Sequence, residues 1–357
     1  TLSLFTACKP RESVVDAGAR DQVLHIASGA EPQSLDPHIV TGTVESRILQ
    51  NLFEGLVTMD PVSLEIIPAA AESWNISDDG KTYMFHLRKN LRWSNGDPVT
   101  AQDFHYAMQR VLSPLLGNTY TEYFFKTVTN AIAYNNGDVE DFGEVGFKAP
   151  NDLTFEIHLD NPNPVLLRYL DQPSFYPVHQ ATIEAHGTIS ERGTNWIRPE
   201  NMVGNGAFRL TEWGVNTVVS MDPNPHYWDR DAVRLKQVYF YPIENADTQY
   251  RAYQNGQVHV ALHIPLHVIM QLEQTLPPDY RNPLIYAVYF YVFNTTRPPF
   301  DDLRVRKALS LAIDRKEIVE QVTQGGQMPA YSLVPPNANN YEPAATVTED
   351  VNEARRL

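Results

Sequence analysis

The chain has 357 residues, 28 Lys and Arg against 43 Asp and Glu, a formal net charge of -15 and one cysteine. With 43% hydrophobic and 20% charged residues it has an ordinary globular composition, in a length beyond the ~250 residues at which single cores stop growing. The acidic balance argues against a nucleic-acid partner and against adsorption to an anionic membrane surface, and one cysteine excludes an internal disulfide or a CxxC pair for zinc or redox work.

The chain opens "TLSLFTACKP", small and apolar up to Cys8, and turns at once to "KPRESVVDAGARDQ", charged and poor in bulky apolar side chains. That contrast is expected of an apolar signal segment followed by a flexible tether over residues 1–21. Thr6-Ala7-Cys8 resembles a bacterial lipobox, whose cysteine is acylated, although Phe5 stands where leucine is preferred and no basic region precedes. A lipid attachment at Cys8 and an inert cysteine near a frayed terminus are the two readings, while a catalytic thiol has no supporting pattern. No stretch approaches the ~20 apolar residues that span a bilayer.

Ordered structure is expected from about residue 22. "QVLHIASG" reads as a strand, and Val44, Ile48, Leu52 and Leu56 at four-residue intervals predict a helix that Gly55 ends. Asp79-Gly80 and Asn95-Gly96 are turn signals, and between them Tyr83, Phe85 and Leu87 share one face of a strand. Thr100 is placed to cap the next helix with Asp103 as reciprocal partner. "LTFEIHL" at 153–159, "GNGAFRLTEW" after an Asn205-Gly206 turn and "RLKQVYFYPI" are further strands.

"YAVYFYVFN" at 286–294 is apolar on both faces and is expected as a central strand. "PPFDDLRVRKALSLAIDRKEIVEQV" then predicts one helix, whose Arg304, Arg306, Lys307, Arg315 and Lys316 form a solvated face balanced by Asp301, Asp302, Asp314 and Glu317. The closing "VNEARRL" reads as the start of a helix, and the chain is expected to be incomplete at both ends. Strands interleaved with helices, without a fixed repeat, make the class α/β.

No HExxH, GxSxG or GxxxxGK is present, and "GNGAFR" lacks the third glycine of a dinucleotide fingerprint. "HVALHIPLH" spaces His259, His263 and His267 by four, but Pro265 breaks any helix through all three. A divalent metal and exposed or hydrogen-bonded histidines are the competing readings.

Several of these stretches together resemble a known family. "EPQSLDPH" (31–38), "NLFEGLV" (51–57), "HLRKNLRWSNGDPVTAQDF" (86–104), "NMVGNGAFRLTEW" (201–213), "NPHYWD" (224–229) and "PPFDDLRVRKALSLAIDR" (298–315) are similar to the oligopeptide-binding branch of the bacterial extracellular solute-binding proteins, family 5, which serve ATP-binding cassette importers.

The resemblance implies a periplasmic-binding-protein-like fold, a bilobal cleft with an extra inserted lobe. Lobe I would comprise residues 22–53 and 180–285, lobe II residues 54–179, and lobe III would begin at 286. It implies a non-enzymatic, monomeric, periplasmic or cell-surface receptor without metal or cofactor, tethered to the membrane through Cys8, that captures oligopeptides and delivers them to permease subunits. The ligand-binding residues carried over are Thr41, Gly42, Thr43, Tyr120, Gln172 and His263. The family's acidic anchor for a ligand amino group would lie beyond Leu357. The alternative keeps the scaffold and changes the ligand to a nickel chelate, haem or another non-peptide solute.

Overall fold

The computed structural model describes residues 12–283, 285, 287–335 and 341–357, so Cys8 lies outside the described residues. The chain divides into two compact units, one running to His263 and the other starting at Ile264.

The first unit departs at once from the expected tether. Helix α1 (Val14–Asp21) is capped by Ser13, whose Oγ accepts the Asp16 N–H at 3.0 Å. It lies close on the following strand: a Cβ added to Gly18 would stand 2.7 Å from the Val23 carbonyl. Small residues here provide close approach instead of apolar area, which is why composition alone misses the helix. Strand β1 (Val23–Ala27) follows, and after an irregular loop comes α2 (Thr43–Leu52), which buries Ile48, Leu49 and Leu52.

The predicted continuation of α2 to Gly55 fails for a local reason. The Leu52 carbonyl accepts the Gly206 N–H at 3.0 Å, and Asn205 clamps Glu54 from both sides, accepting its N–H at 2.9 Å and donating to its carbonyl at 2.8 Å. The backbone groups that would extend the helix are taken by a segment 151 residues away. Close approach demands glycine there, since a Cβ on Gly206 would lie 2.5 Å from the Asn51 carbonyl.

Strands β2 (Val57–Met59) and β3 (Ile66–Pro68) form a small hairpin. Then β4 (Ala71–Ile76), β5 (Thr82–Leu87), β6 (Phe147–Asn151) and β7 (Thr154–His158) make an antiparallel sheet in the order β4-β5-β7-β6. As expected, Tyr83, Phe85 and Leu87 are buried on one face of β5. Helix α3 (Ala101–Val111) packs on β6 and β7, and the Asp103 carboxylate accepts from the Thr100 N–H at 2.7 Å and from its hydroxyl at 3.0 Å. A short helix α4 (Thr121–Phe125) stands between α3 and β6 in the chain.

A second sheet is assembled from both ends of this unit. Strands β8 (Phe208–Gly214), β9 (Val218–Pro223), β10 (Gln237–Tyr241) and β11 (Val260–Ala261) take β1 between β11 and β10, in the order β11-β1-β10-β9-β8. β1 runs parallel to both neighbours, whereas β10, β9 and β8 are antiparallel.

In the second unit a helix covers Leu266–Thr275. The expected central strand at 286–294 is not present: the described residues of that stretch pair with no strand, and Tyr289 and Val292 are 87% and 81% exposed. An apolar run becomes a strand only where neighbours supply ladder partners and cover on both faces. The helix expected through residue 322 breaks after Leu303–Leu311, because the Leu311 carbonyl accepts the Asp350 N–H at 2.9 Å and Asp314 starts a new turn by accepting from Glu317 N–H at 2.8 Å. The closing helix, Val351–Arg356, is as read.

Burial pushes the pKa of the Glu54 carboxyl up to about 7, against the opposing effect of donors from Tyr227 Oη (2.5 Å) and Trp228 Nε1 (2.7 Å). A folded-state value above the unfolded 4.5 gives stability that is full at low pH and is lost as pH rises through 7. Relative to an E54Q variant, the native chain is therefore expected to lose about 3 kcal/mol between pH 4.5 and 7.5, measured by denaturant unfolding at a series of pH values.

Candidate functional site

The loop between β1 and α2 carries "SLDPHIVTGT" and has no regular ladder to hold it. It is held instead by buried side chains. Arg110, on α3, is fully buried and grips Asp36 with both ends, Nη1 to Oδ1 at 2.9 Å and Nη2 to Oδ2 at 2.6 Å. Arg110 Nη1 also donates to His38 Nδ1 at 3.0 Å, so the ring carries its proton on Nε2 and donates it to the Tyr176 carbonyl at 3.0 Å. Asp36 in turn accepts the His38 N–H at 3.0 Å.

This network sets the charge states. Burial pushes the Asp36 carboxyl up, but the guanidinium outweighs it and the net shift is downward. Burial first, and Arg110 second, hold His38 at about 4. His38 thus contributes stability that is present above its unfolded 6.5 and is lost as pH falls through 4, the opposite sign to Glu54.

Asn118 continues the anchorage, donating to the His38 carbonyl at 2.7 Å and to Ser174 Oγ at 3.2 Å, while its Oδ1 accepts the Tyr120 N–H at 2.7 Å. Three segments distant in sequence are thereby drawn together around a cavity of about 230 Å³. Thr41, Gly42 and Thr43 form one side, with Tyr120 and Gln172 on others. Five of the six residues singled out from the sequence therefore share one cavity.

His263 does not join them. Its N–H is bonded to Gln249 Oε1 at 3.0 Å, and its ring lies where a Cβ on Gly29 would meet Nε2 at 2.9 Å. Sequence reading missed Ser46, Phe124 and Ser174, which also line the cavity. Helical spacing carried a signal for two of them: Ser46 is three residues beyond Thr43 on α2, and Phe124 four beyond Tyr120, with ring centroids 5.3 Å apart.

Gly42 is the N-cap of α2 and supplies no side chain to its first turn. A Cβ here would stand 2.0 Å from Glu45 Oε2, so any side chain at this position must displace the Glu45 carboxylate. Glu45 is itself 7% exposed and accepts the Gln33 N–H at 2.8 Å. The cavity wall thus offers main chain, hydroxyls, one amide and aromatic rings, with no charged side chain.

Of the other two histidines of the sequence pattern, His267 lies on the helix Leu266–Thr275 of the second unit and His259 is engaged in the first. His259 accepts the His25 N–H on Nδ1 at 3.1 Å, contacts the Val15 carbonyl through Nε2 at 3.2 Å and stacks on His25 at 5.5 Å, which ties α1 to the sheet. Among the described residues no three His, Cys, Asp or Glu side chains are placed to hold a metal ion.

Replacing Arg110 by Met leaves Asp36 buried without its counter-ion, and is expected to cost about 3–5 kcal/mol of unfolding free energy in chemical denaturation.

Comparison with known proteins follows the same lines. The family model described as bacterial extracellular solute-binding proteins, family 5 Middle, matches residues 65–357. The chain is 36% identical over 342 residues to the periplasmic oligopeptide-binding protein OppA of Salmonella typhimurium, covering 94% of this chain and 61% of that protein. It is 37% identical over 337 residues to the probable deoxycholate-binding periplasmic protein YgiS of Escherichia coli, covering 94% and 61% respectively. The crystal structure of Haemophilus influenzae OppA in complex with the peptide RPPGFSPFR is similar with a TM-score of 0.80 at 35% identity, over 88% of this chain and 60% of that one. The chain therefore spans about three fifths of the length of these relatives.

Proposed function

The chain belongs to the bacterial extracellular solute-binding proteins, family 5, and from that premise we propose that it is the extracytoplasmic receptor of an ATP-binding cassette importer, capturing oligopeptides and delivering them to permease subunits. The observation that carries this reading is the cavity at the N-terminus of α2, where the Thr41–Thr43 backbone faces Tyr120 and Gln172. An extended peptide is held by its main chain against such exposed donors and acceptors, and the side chains enter pockets beside it. A relative whose name is oligopeptide-binding and a similar structure solved with a nonapeptide support the ligand class.

Within this reading Thr41, Gly42 and Thr43 meet peptide main chain, and Tyr120 and Gln172 close over it. His263, set apart from the cavity, is a border residue at most. Lobe I is assigned to residues 22–53 and 180–285, lobe II to 54–179, and lobe III to residues from 286. The support for a discontinuous lobe I is a sheet that places β1 between β10 and β11. The receptor acts without catalysis, as a monomer, and is held at the membrane by a lipid on Cys8.

Two experiments test these parts. Thermal-shift titration of the full-length protein with two- to eight-residue peptides is expected to raise apparent stability by about 2.7 kcal/mol at a hundred times the dissociation constant. Silence with peptides and a response to deoxycholate, nickel or haem would overturn the ligand class. For the anchor, mass spectrometry of protein from its native cell is expected to find an acylated cysteine at position 8, and an unmodified Cys8 or a start well downstream of it would remove that claim.

A further inference from the structure

The anchor that holds the loop over residues 28–42 contains two polar atoms bonded to no protein group among the described residues, Arg110 Nε and Tyr106 Oη. Both side chains belong to α3, and residues four apart on a helix stand one above the other, so they leave it on the same face. Arg110 is 0% and Tyr106 6% exposed, and the two atoms themselves are sealed from solvent. Chain laid on the outside of the protein cannot reach an atom so enclosed. Only something enclosed with it can bond to it.

The guanidinium shows which edge is open. Of its five N–H bonds, Nη1 uses both of its own, on Asp36 Oδ1 and His38 Nδ1, and Nη2 uses one, on Asp36 Oδ2. In the planar group the Nε–H and the second Nη2–H then point the same way, along a different edge from the one that meets Asp36. The charge of Arg110 is already met by Asp36, and the His38 ring accepts on Nδ1, so an anion on this edge would be buried without a counter-ion of its own. Glu184, on the helix Gln180–His186 that packs against α3, is exposed and accepts the Gln180 amide at 2.9 Å, so its carboxylate is a surface group. The third enclosed atom of this kind, Trp93 Nε1, has the Asp103 carboxylate as its neighbour and makes no such demand.

We propose that Arg110 and Tyr106 hold one internal water molecule, which accepts from the open edge of the guanidinium and donates to Tyr106 Oη, and that this water is part of the anchor of the loop carrying Thr41–Thr43. It makes three bonds, two accepted and one donated, about the usual number for a buried water. These bonds fix the rotation of the guanidinium plane, and with it the Asp36 carboxylate and the His38 ring. The site is independent of what the α2 cavity takes up.

The test is a crystal structure of the full-length protein at a resolution that places ordered waters, together with denaturant unfolding of the native protein and its Tyr106→Phe variant. The structure is expected to show a single water-sized peak at about 2.6–3.2 Å from both Arg110 Nε and Tyr106 Oη. Removing the hydroxyl takes a partner from that water, and the folded-to-unfolded ratio of Tyr106→Phe is expected to fall about five-fold or more. A hydroxyl that bonds to nothing is removed at no cost, so a variant as stable as the native protein, or more stable, would overturn the site. So would the lack of a peak, or a direct bond from Tyr106 Oη or Arg110 Nε to a protein acceptor in its place, whatever the stability of the variant. A peak too electron-rich for water would overturn the ligand class and put an anion there instead.

Discussion

The contact between Asp36 and Arg110 is the constraint on which the site depends. Taking a carboxylate and a guanidinium out of water costs several kcal/mol for each ion, and their mutual attraction repays this only where geometry and hydrogen bonding are both good. Here the guanidinium meets the carboxylate with two parallel bonds, and His38 joins both partners, its ring Nδ1 accepting from Arg110 and its backbone N–H donating to Asp36. The gain from such a pair lies less in stability than in position. Residues 28–42 have no sheet to belong to, and without the grip of α3 their backbone would keep its conformational freedom instead of lining a cavity.

Around that anchor the protein sorts its charges. Arg110 and Asp36 neutralise one another below the loop, Glu45 turns to the Gln33 backbone, and Asp171 to that of Met59. What remains facing the cavity is neutral. His38 and Glu54 show the same economy in protons: burial keeps the one uncharged far below its ordinary range and raises the other toward neutrality. Their linkage slopes have opposite signs, so between pH 4.5 and 6.5 each masks the other in the stability of the intact chain.

Much of the scaffold was legible from spacing alone. Tyr83, Phe85 and Leu87 alternate because one face of β5 is buried, and Thr100 with Asp103 marks a helix start because an acceptor three residues on can take the cap's own N–H. The failures share a cause, which is that the deciding partner is remote. The end of α2 is set by Asn205 and Gly206, the break after Leu311 by Asp350, and neither could be read from the local pattern. Residues 286–294 have the composition of a strand but no ladder partner among the described residues, and composition cannot supply one. In the cavity, Thr41 to Thr43, Tyr120 and Gln172 came from family resemblance. Ser46 and Phe124 follow from them once the helices are known, but Ser174 is placed by Asn118, which has no signature of its own.

The discontinuous sheet also imposes a schedule. β1 ends at Ala27, while β10, its neighbour on one side, begins at Gln237 and β11, on the other, at Val260. At a synthesis rate of about 5–20 residues per second, both edges of β1 stay unpaired for roughly 10–40 s after it is made. The four-stranded sheet, whose strands all fall between Ala71 and His158, is complete well before then. It can fold as a unit while the strand that precedes it waits, so β1 is among the last strands of the first unit to find both its neighbours.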